Sequence, residues 1–249
     1  MGMEVTSPVT IGRATLYLGD CLSIMPTLGK VSHIICDPPY EASLHKMKNS
    51  LRGRIRTDSG PDLRGLDFEA IDEIRKPLVS AVEAACEGWF IAFCTVEGVA
   101  KWADFINPSP LKYKRACVWI KPDSTPQLNG QGPAQGAECF VTAWGGSGHA
   151  KWNAGGKRGV YTHCVNGPER DGRHPTEKPR RLMAEILADF TNPDETILDP
   201  FMGSGTTGVA AVQMDRNFVG IEKDERYFQI ACERIEKAQR QLKLFGEAA

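Results

Sequence analysis

The sequence is short of several things, and each shortage narrows what the chain can be. It has no run of about 18 apolar residues, so no membrane-spanning helix is expected. Its first residues, MGMEVTSPVT, lack the apolar core of a secretion signal. Gly2 and Thr6 match the start of a myristoylation pattern, but that pattern is loose and carries little weight. The eight cysteines are scattered from Cys21 to Cys232 without a CxxC pair. Several sit inside apolar runs, where cysteine is usually a small buried hydrophobe. Neither a disulfide frame nor a zinc or other metal site is expected, and the chain reads as a reduced, cytoplasmic protein. Net charge is only −1 over 249 residues, so global charge makes no case for nucleic acid. No internal repeat is visible.

Local charge does make a case. The segment HKMKNSLRGRIR (45–56) carries Lys46, Lys48, Arg52, Arg54 and Arg56 with no acid. A second basic, glycine-rich segment (157–174) begins with Lys157 and Arg158. Such clusters are often solvated faces, and they are also the footprint of phosphate contact.

Along the chain, strand-like and helix-like segments alternate. Strands are predicted at Thr15–Leu18, His33–Cys36, 89–95, 116–120, 139–144, 196–199 and 218–222. Helical spacing is clear over Phe68–Cys86, where Pro77 predicts a break or kink, and again at Leu182, Met183, Ile186, Leu187 and Phe190. Asp224 is placed to cap a last helix reaching about Leu244. Alternation of this kind predicts one doubly wound α/β domain. Long polar stretches at 41–67, 121–138 and 145–173 exceed what a minimal sheet needs, which marks them as functional or mobile.

Two motifs carry chemistry. The apolar strand His33–Cys36 runs directly into Asp37-Pro38-Pro39-Tyr40. Composition alone would give this tetrapeptide in about one chain in a thousand of this length. Near the other end, LDPFMGSGTTG (198–208) places Gly203-x-Gly205-x-x-Gly208 after a strand and at the opening of a helix. Glycines there let backbone approach a ligand, and the helix start offers free N–H donors. The next strand ends in Glu222, placed to accept from ribose hydroxyls. Residues 196–222 thus read as a nucleoside-binding unit. Two enzyme classes use one: a dinucleotide oxidoreductase and a methyltransferase. A dinucleotide domain normally begins with its glycine loop, and here the loop comes late, after Asp37-Pro38-Pro39-Tyr40.

Taken together, LYLGDCL (16–22), DPPY (37–40), HPTEKP (174–179), LDPFMGSGTTGVAA (198–211) and FVGIEKDERYF (218–228) resemble the amino-group DNA methyltransferases, which methylate adenine N6 or cytosine N4. Their order is that of the permuted β class, and the resemblance spans nearly the whole chain. It implies a doubly wound, mostly parallel, seven-stranded Rossmann-like methyltransferase sheet in a single circularly permuted domain over 1–249. The loop at 41–67 would be basic and the loops at 121–173 would recognise the target.

The resemblance also implies roles. Asp37 and the main-chain carbonyl of Pro38 would accept the two N–H groups of a flipped base, held by the stiffness of Pro38 and Pro39. Tyr40 would stack on that base. S-adenosylmethionine would lie against Asp199, Phe201, Gly203, Gly205 and Thr206, with Glu222 on its ribose, Asp20 near its adenine, and Thr176 and Lys178 closing over its methionine end. His174 is a positioning or loop residue. Lys46, Lys48, Arg52, Arg54, Arg56, Lys157 and Arg158 would touch DNA, and Gln127, Asn129, Gln131, Gln135 and Asn153 are further donors for base edges. Aspartate at the head of the tetrapeptide leans toward adenine N6, with cytosine N4 as the alternative. An NAD-type oxidoreductase and a non-enzymatic DNA-binding module are the readings from other classes. The expected partner is double-stranded DNA, with room for a homodimer and a restriction endonuclease.

Overall fold

The structure, a computed structural model, describes residues 7–39, 71–125, 132–166 and 177–246. In chain order it contains β1 (Val9–Ile11), β2 (Ala14–Leu18), α1 (Cys21–Ile24), β3 (His33–Cys36), α2 (Ile71–Ala85), β4 (Trp89–Cys94), α3 (Gly98–Ile106), β5 (Lys112–Ile120), β6 (Ala137–Trp144), β7 (Val160–Thr162), α4 (Arg180–Phe190), β8 (Thr196–Asp199), α5 (Thr206–Gln213), β9 (Asn217–Glu222) and α6 (Glu225–Gly246).

The strands form one sheet in the order β1-β2-β9-β8-β3-β4-β6-β5-β7. Its centre, β2-β9-β8-β3-β4, is parallel throughout. Such strands are covered on both faces, so β3 and β4 are apolar at nearly every position and buried at all of them. Alternate residues feed two cores. Ile35, Ile91, Phe93 and Phe140 pack with α4, α5 and α6, while Ile34, Phe90, Ala92 and Val141 pack with α1, α2 and α3. This is the doubly wound arrangement.

The seven expected strands are all present, and among the described residues β1 and β7 add a three-residue strand at each edge of the sheet. β7 lies inside the stretch read as loop, paired along β5 from Val160 to Thr162. Of the break or kink expected at Pro77, the break does not occur: α2 runs from Ile71 through Pro77 to Ala85. A mid-helix proline costs about 3 kcal/mol. Burial of Leu78, Val79 and Val82 on the next turns gains roughly 1.5–3 kcal/mol for each, so packing prevails.

β6 is the one strand of the central region that runs backwards, antiparallel to both β4 and β5. Its first residues, not its last, therefore meet the edge where the parallel strands end. Glu138 on β6 pairs opposite Trp119 near the end of β5, and Cys139 opposite Cys94 at the end of β4. The amide of Lys121 donates to Gly136 O at 2.9 Å, which closes the mouth of this hairpin.

Candidate active site

The carboxyl edge of a parallel sheet collects the residues that follow its strands. β9, β8 and β3 are neighbours, and they end in or just before Glu222, Asp199 and Asp37. Asp20 follows the adjacent β2. Residues 37, 199, 222 and 20, far apart in the chain, thus share one edge.

Asp20 caps α1, its carboxylate accepting from the amides of Leu22 (2.9 Å) and Ser23 (3.2 Å). Gly19 N–H donates to Glu222 O at 2.8 Å, so the Asp20 turn is fastened to the end of β9. Glu222 is itself oriented by backbone: one oxygen accepts from Gly203 N–H (2.9 Å) and the other from Asp224 N–H (2.8 Å). Each oxygen keeps a lone pair for a ligand. Burial holds this carboxyl above its ordinary range, against the pull of those amides.

The glycine loop needs its glycines. Gly203 and Gly205 have φ of +52° and +80°, in the left-handed region. Gly208, on α5, has a different reason: a Cβ there would lie 2.6 Å from both Ile235 and Phe218. Asp199 accepts from Phe201 N–H at 3.0 Å. Burial pushes its carboxyl up to about 7, and the nearby charges of Asp37 and Glu222 add to the rise against bonds from Thr207 and Phe201.

Four acids at one sheet edge suit a cationic ligand. A pyrophosphate beside Asp199 would meet like charge, which counts against a dinucleotide. A ligand carrying a sulfonium and an ammonium would meet opposite charge at this edge.

Beside this half lies a second cluster. Lys178 Nζ is 2.6 Å from Asp37 Oδ2 and 3.3 Å from Glu138 Oε2. The ammonium also lies over the ring of Phe93 (5.0 Å) and at 6.0 Å from that of Trp119. Lys121 hydrogen-bonds Glu138 Oε1 from the other side. Asp37 Oδ1 is cut off from water and has no hydrogen-bond partner among the described residues, although the side chain as a whole is 28% exposed. That oxygen is an acceptor without a donor. Burial raises the Asp37 carboxyl above its ordinary range; Lys178 opposes this and Glu138 adds to it.

Behind the glycine loop, Arg234 of α6 pairs with Glu177. Its Nη1 donates to Ser204 O (2.7 Å), Ser204 Oγ (2.8 Å) and Thr206 Oγ1 (3.3 Å). The Thr206 hydroxyl, read from sequence as part of the cofactor lining, is thus engaged with this pair. Phe201 is half-buried beside the same loop.

Of the DNA-facing candidates, Arg158 and Gln135 are exposed. Lys157 pairs with Glu185 and Asp189 of α4, and the Asn153 amide donates to Ala188 O, Thr191 O and Asn192 Oδ1. Both therefore fasten their loop to α4. Tyr40, Lys46, Lys48, Arg52, Arg54, Arg56, Gln127, Asn129, Gln131, His174 and Thr176 lie outside the described residues. Sequence reading missed Glu138, Lys121, Glu177 and Arg234.

Comparison with known proteins shows the family. The chain is 28% identical over 244 residues to the type II methyltransferase M2.MboI of Moraxella bovis, covering 88% of this chain and 86% of that protein. The fold matches the crystal structure of the M1.HpyAVI–SAM complex with a TM-score of 0.69 at 28% identity, over 89% of this chain and 98% of the other. It also matches the cytosine-N4-specific PvuII DNA methyltransferase, TM-score 0.71 over 96% of both chains, where 15% identity speaks to fold alone. The sequence profile of the N6/N4 DNA methylases matches residues 31–233, from just before β3 into α6. With the aspartate after β3 and the glycine loop after β8 inside that match, the chain belongs to the N6/N4 DNA methylase family.

Proposed function

We propose that this DNA methyltransferase acts on N6 of an adenine turned out of duplex DNA. The methyl donor is S-adenosylmethionine, which supplies a methyl group on a cationic sulfur. The observation that carries the reading is Asp37 at the carboxyl end of β3, with Oδ1 unpartnered beside the cofactor cleft. Aspartate at this place in the tetrapeptide resembles the adenine-methylating members of the family.

An exocyclic amine is a poor nucleophile, because its lone pair is spread into the ring. Asp37 Oδ1 accepts one of its N–H groups and the carbonyl of Pro38 accepts the other. Both favour the pyramidal nitrogen and the positive charge that develops on it. An ordinary aspartate is too weak a base to ionise a neutral amine, so the proton leaves after the nitrogen has gained the methyl. The base must leave the stack first, at a cost of a few kcal/mol. Tyr40 offsets part of this by stacking. Phosphate contacts come from the basic segment 45–56 and from Arg158.

Digestion of DNA from cells expressing the protein, followed by nucleoside mass spectrometry, tests the base. N6-methyladenine is the expected product. N4-methylcytosine in its place would move the assignment to the other amine, which the same acceptors could serve.

A further inference from the structure

Glu138 has no role in the proposed transfer so far, yet it sits where a role is needed. Four charged side chains stand in a row, Lys121, Glu138, Lys178 and Asp37, alternating in sign. Lys178 is 7% exposed and Glu138 11%. Glu138 Oε2 is buried and 3.3 Å from Lys178 Nζ, a longer contact than the 2.6 Å from that ammonium to Asp37.

In this state Lys178 gives its short hydrogen bond to Asp37. During turnover the target nitrogen forms a bond to the methyl, the sulfur–methyl bond breaks, and the sulfur keeps the electron pair. The nitrogen is then cationic. Its N–H bond breaks, the pair stays on nitrogen, and the proton goes to Asp37 Oδ1. Asp37 becomes neutral while Lys178 stays charged. A buried ammonium that loses its counter-ion needs another at once.

We propose that Glu138 is a positioning residue for methyl transfer, holding Lys178 against Asp37 and receiving it when Asp37 takes up the amine proton. The inference rests on Asp37 as the acceptor. Loss of methylation in Asp37→Ala tests that premise separately.

Facing Glu138 are Lys121 after β5, Lys178 ahead of α4 and Asp37 after β3; Glu97 before α3 acts on the neighbouring Cys139, and Asp199 at the end of β8 acts with Asp37. Removing the Glu138 charge takes a like charge from Asp37 and leaves Lys178 to it alone. Both effects make Asp37 harder to protonate. Removing Lys121 does the reverse.

The test is single-turnover methylation of duplex DNA across pH by the full chain, with S-adenosylmethionine affinity measured alongside. Single turnover keeps product release out of the rate. Glu138→Gln should slow the plateau rate about tenfold, ~1.4 kcal/mol in the barrier. Its acidic limb should move to lower pH. Lys121→Gln should move the acidic limb to higher pH. Cofactor affinity should stay within about twofold in both. Opposite displacements cannot come from a general loosening of the site. Unmoved profiles in both variants, or displacements of the same sign, would overturn the proposal. If Glu138→Gln does not fold, the Lys121→Gln profile decides: no rise in its acidic limb sinks the idea.

Discussion

Arg234 on α6 and Glu177, the residue just before Lys178, form a buried ion pair across 57 positions of sequence. The same guanidinium holds Ser204 of the glycine loop through its carbonyl and its hydroxyl. One arginine thereby fixes the chain on both sides of the cofactor cleft. Losing one member of a buried pair costs roughly 3–5 kcal/mol. Arg234→Met should lower the unfolding free energy read from urea melts by that order and weaken S-adenosylmethionine binding. Adding Glu177→Gln should recover part of the stability, because the stranded charge is gone. If the double variant is no more stable than the single one, the pair is not what holds these segments.

Asp37→Ala removes the unpartnered acceptor and leaves the glycine loop intact. By analogy with single donors at oxyanion sites, turnover should fall by about 100- to 1000-fold. Calorimetry should find cofactor affinity nearly unchanged. Turnover close to that of the parent protein would remove Asp37 from the chemistry.

Asp199 gives a pH dependence with a definite sign. Its carboxyl rises from an ordinary 3.8 to about 7 in the fold. Between those values the folded chain binds the extra proton, so this group's stabilisation is full below about pH 4 and lost as pH rises through 7. Asp199→Asn keeps an acceptor for Phe201 N–H and removes the buried charge. It should stabilise the free enzyme at pH 8 by ~1–3 kcal/mol, with no gain near pH 4. It should also bind S-adenosylmethionine less tightly. Denaturant melts at the two pH values read the first effect, and a gain equal at both would contradict it.

Gly208→Ala sets helix propensity against packing. Alanine is favoured over glycine by about 1 kcal/mol in a helix. The new methyl would lie 2.6 Å from the Ile235 side chain and from the Phe218 ring, both buried, and such overpacking costs typically 1–3 kcal/mol. The variant should melt lower than the parent. Ile235→Ala in the same chain should relieve the contact, so the two losses should be less than additive in a double-mutant cycle.

The basic segment 45–56 is testable by salt. If its five cations touch phosphates, replacing them should weaken binding on every DNA sequence. The salt dependence should flatten by about 0.9 in log–log slope per lost contact. An unchanged slope would mark the segment as a solvated loop.

What the sequence revealed and what it hid divide along physical lines. β3 and β4 are short apolar runs with sharp ends, because burial on both faces leaves few polar positions. Asp37, Asp199 and Glu222 stand at or just after the ends of β3, β8 and β9, where the sheet topology brings them together. β1 and β7 were invisible: three residues cannot show a period, and Val9 and Val160 are exposed. Pro77 misled because local cost is visible in sequence and the burial that outweighs it is not. Glu138 reads as an ordinary acid at a strand start. Its meaning comes from Lys178 and Lys121, and Lys178 reaches it only through tertiary packing. Arg234 is hidden for the same reason, being one cation among many on an amphipathic helix.

The reversed β6 has a consequence for how such an enzyme can be changed. Because β5 and β6 form a hairpin whose turn end lies at the same edge as Asp37, the residues at its base, Lys121 and Glu138, stand beside Lys178 and Asp37. Its base is latched by the Lys121 amide on Gly136 and by the Lys121–Glu138 pair. Lengthening a surface connection costs little, about 0.6 kcal/mol for each doubling. A connection of another length or sequence should therefore be accepted on this base, with the ends of β3 and β8 kept in register.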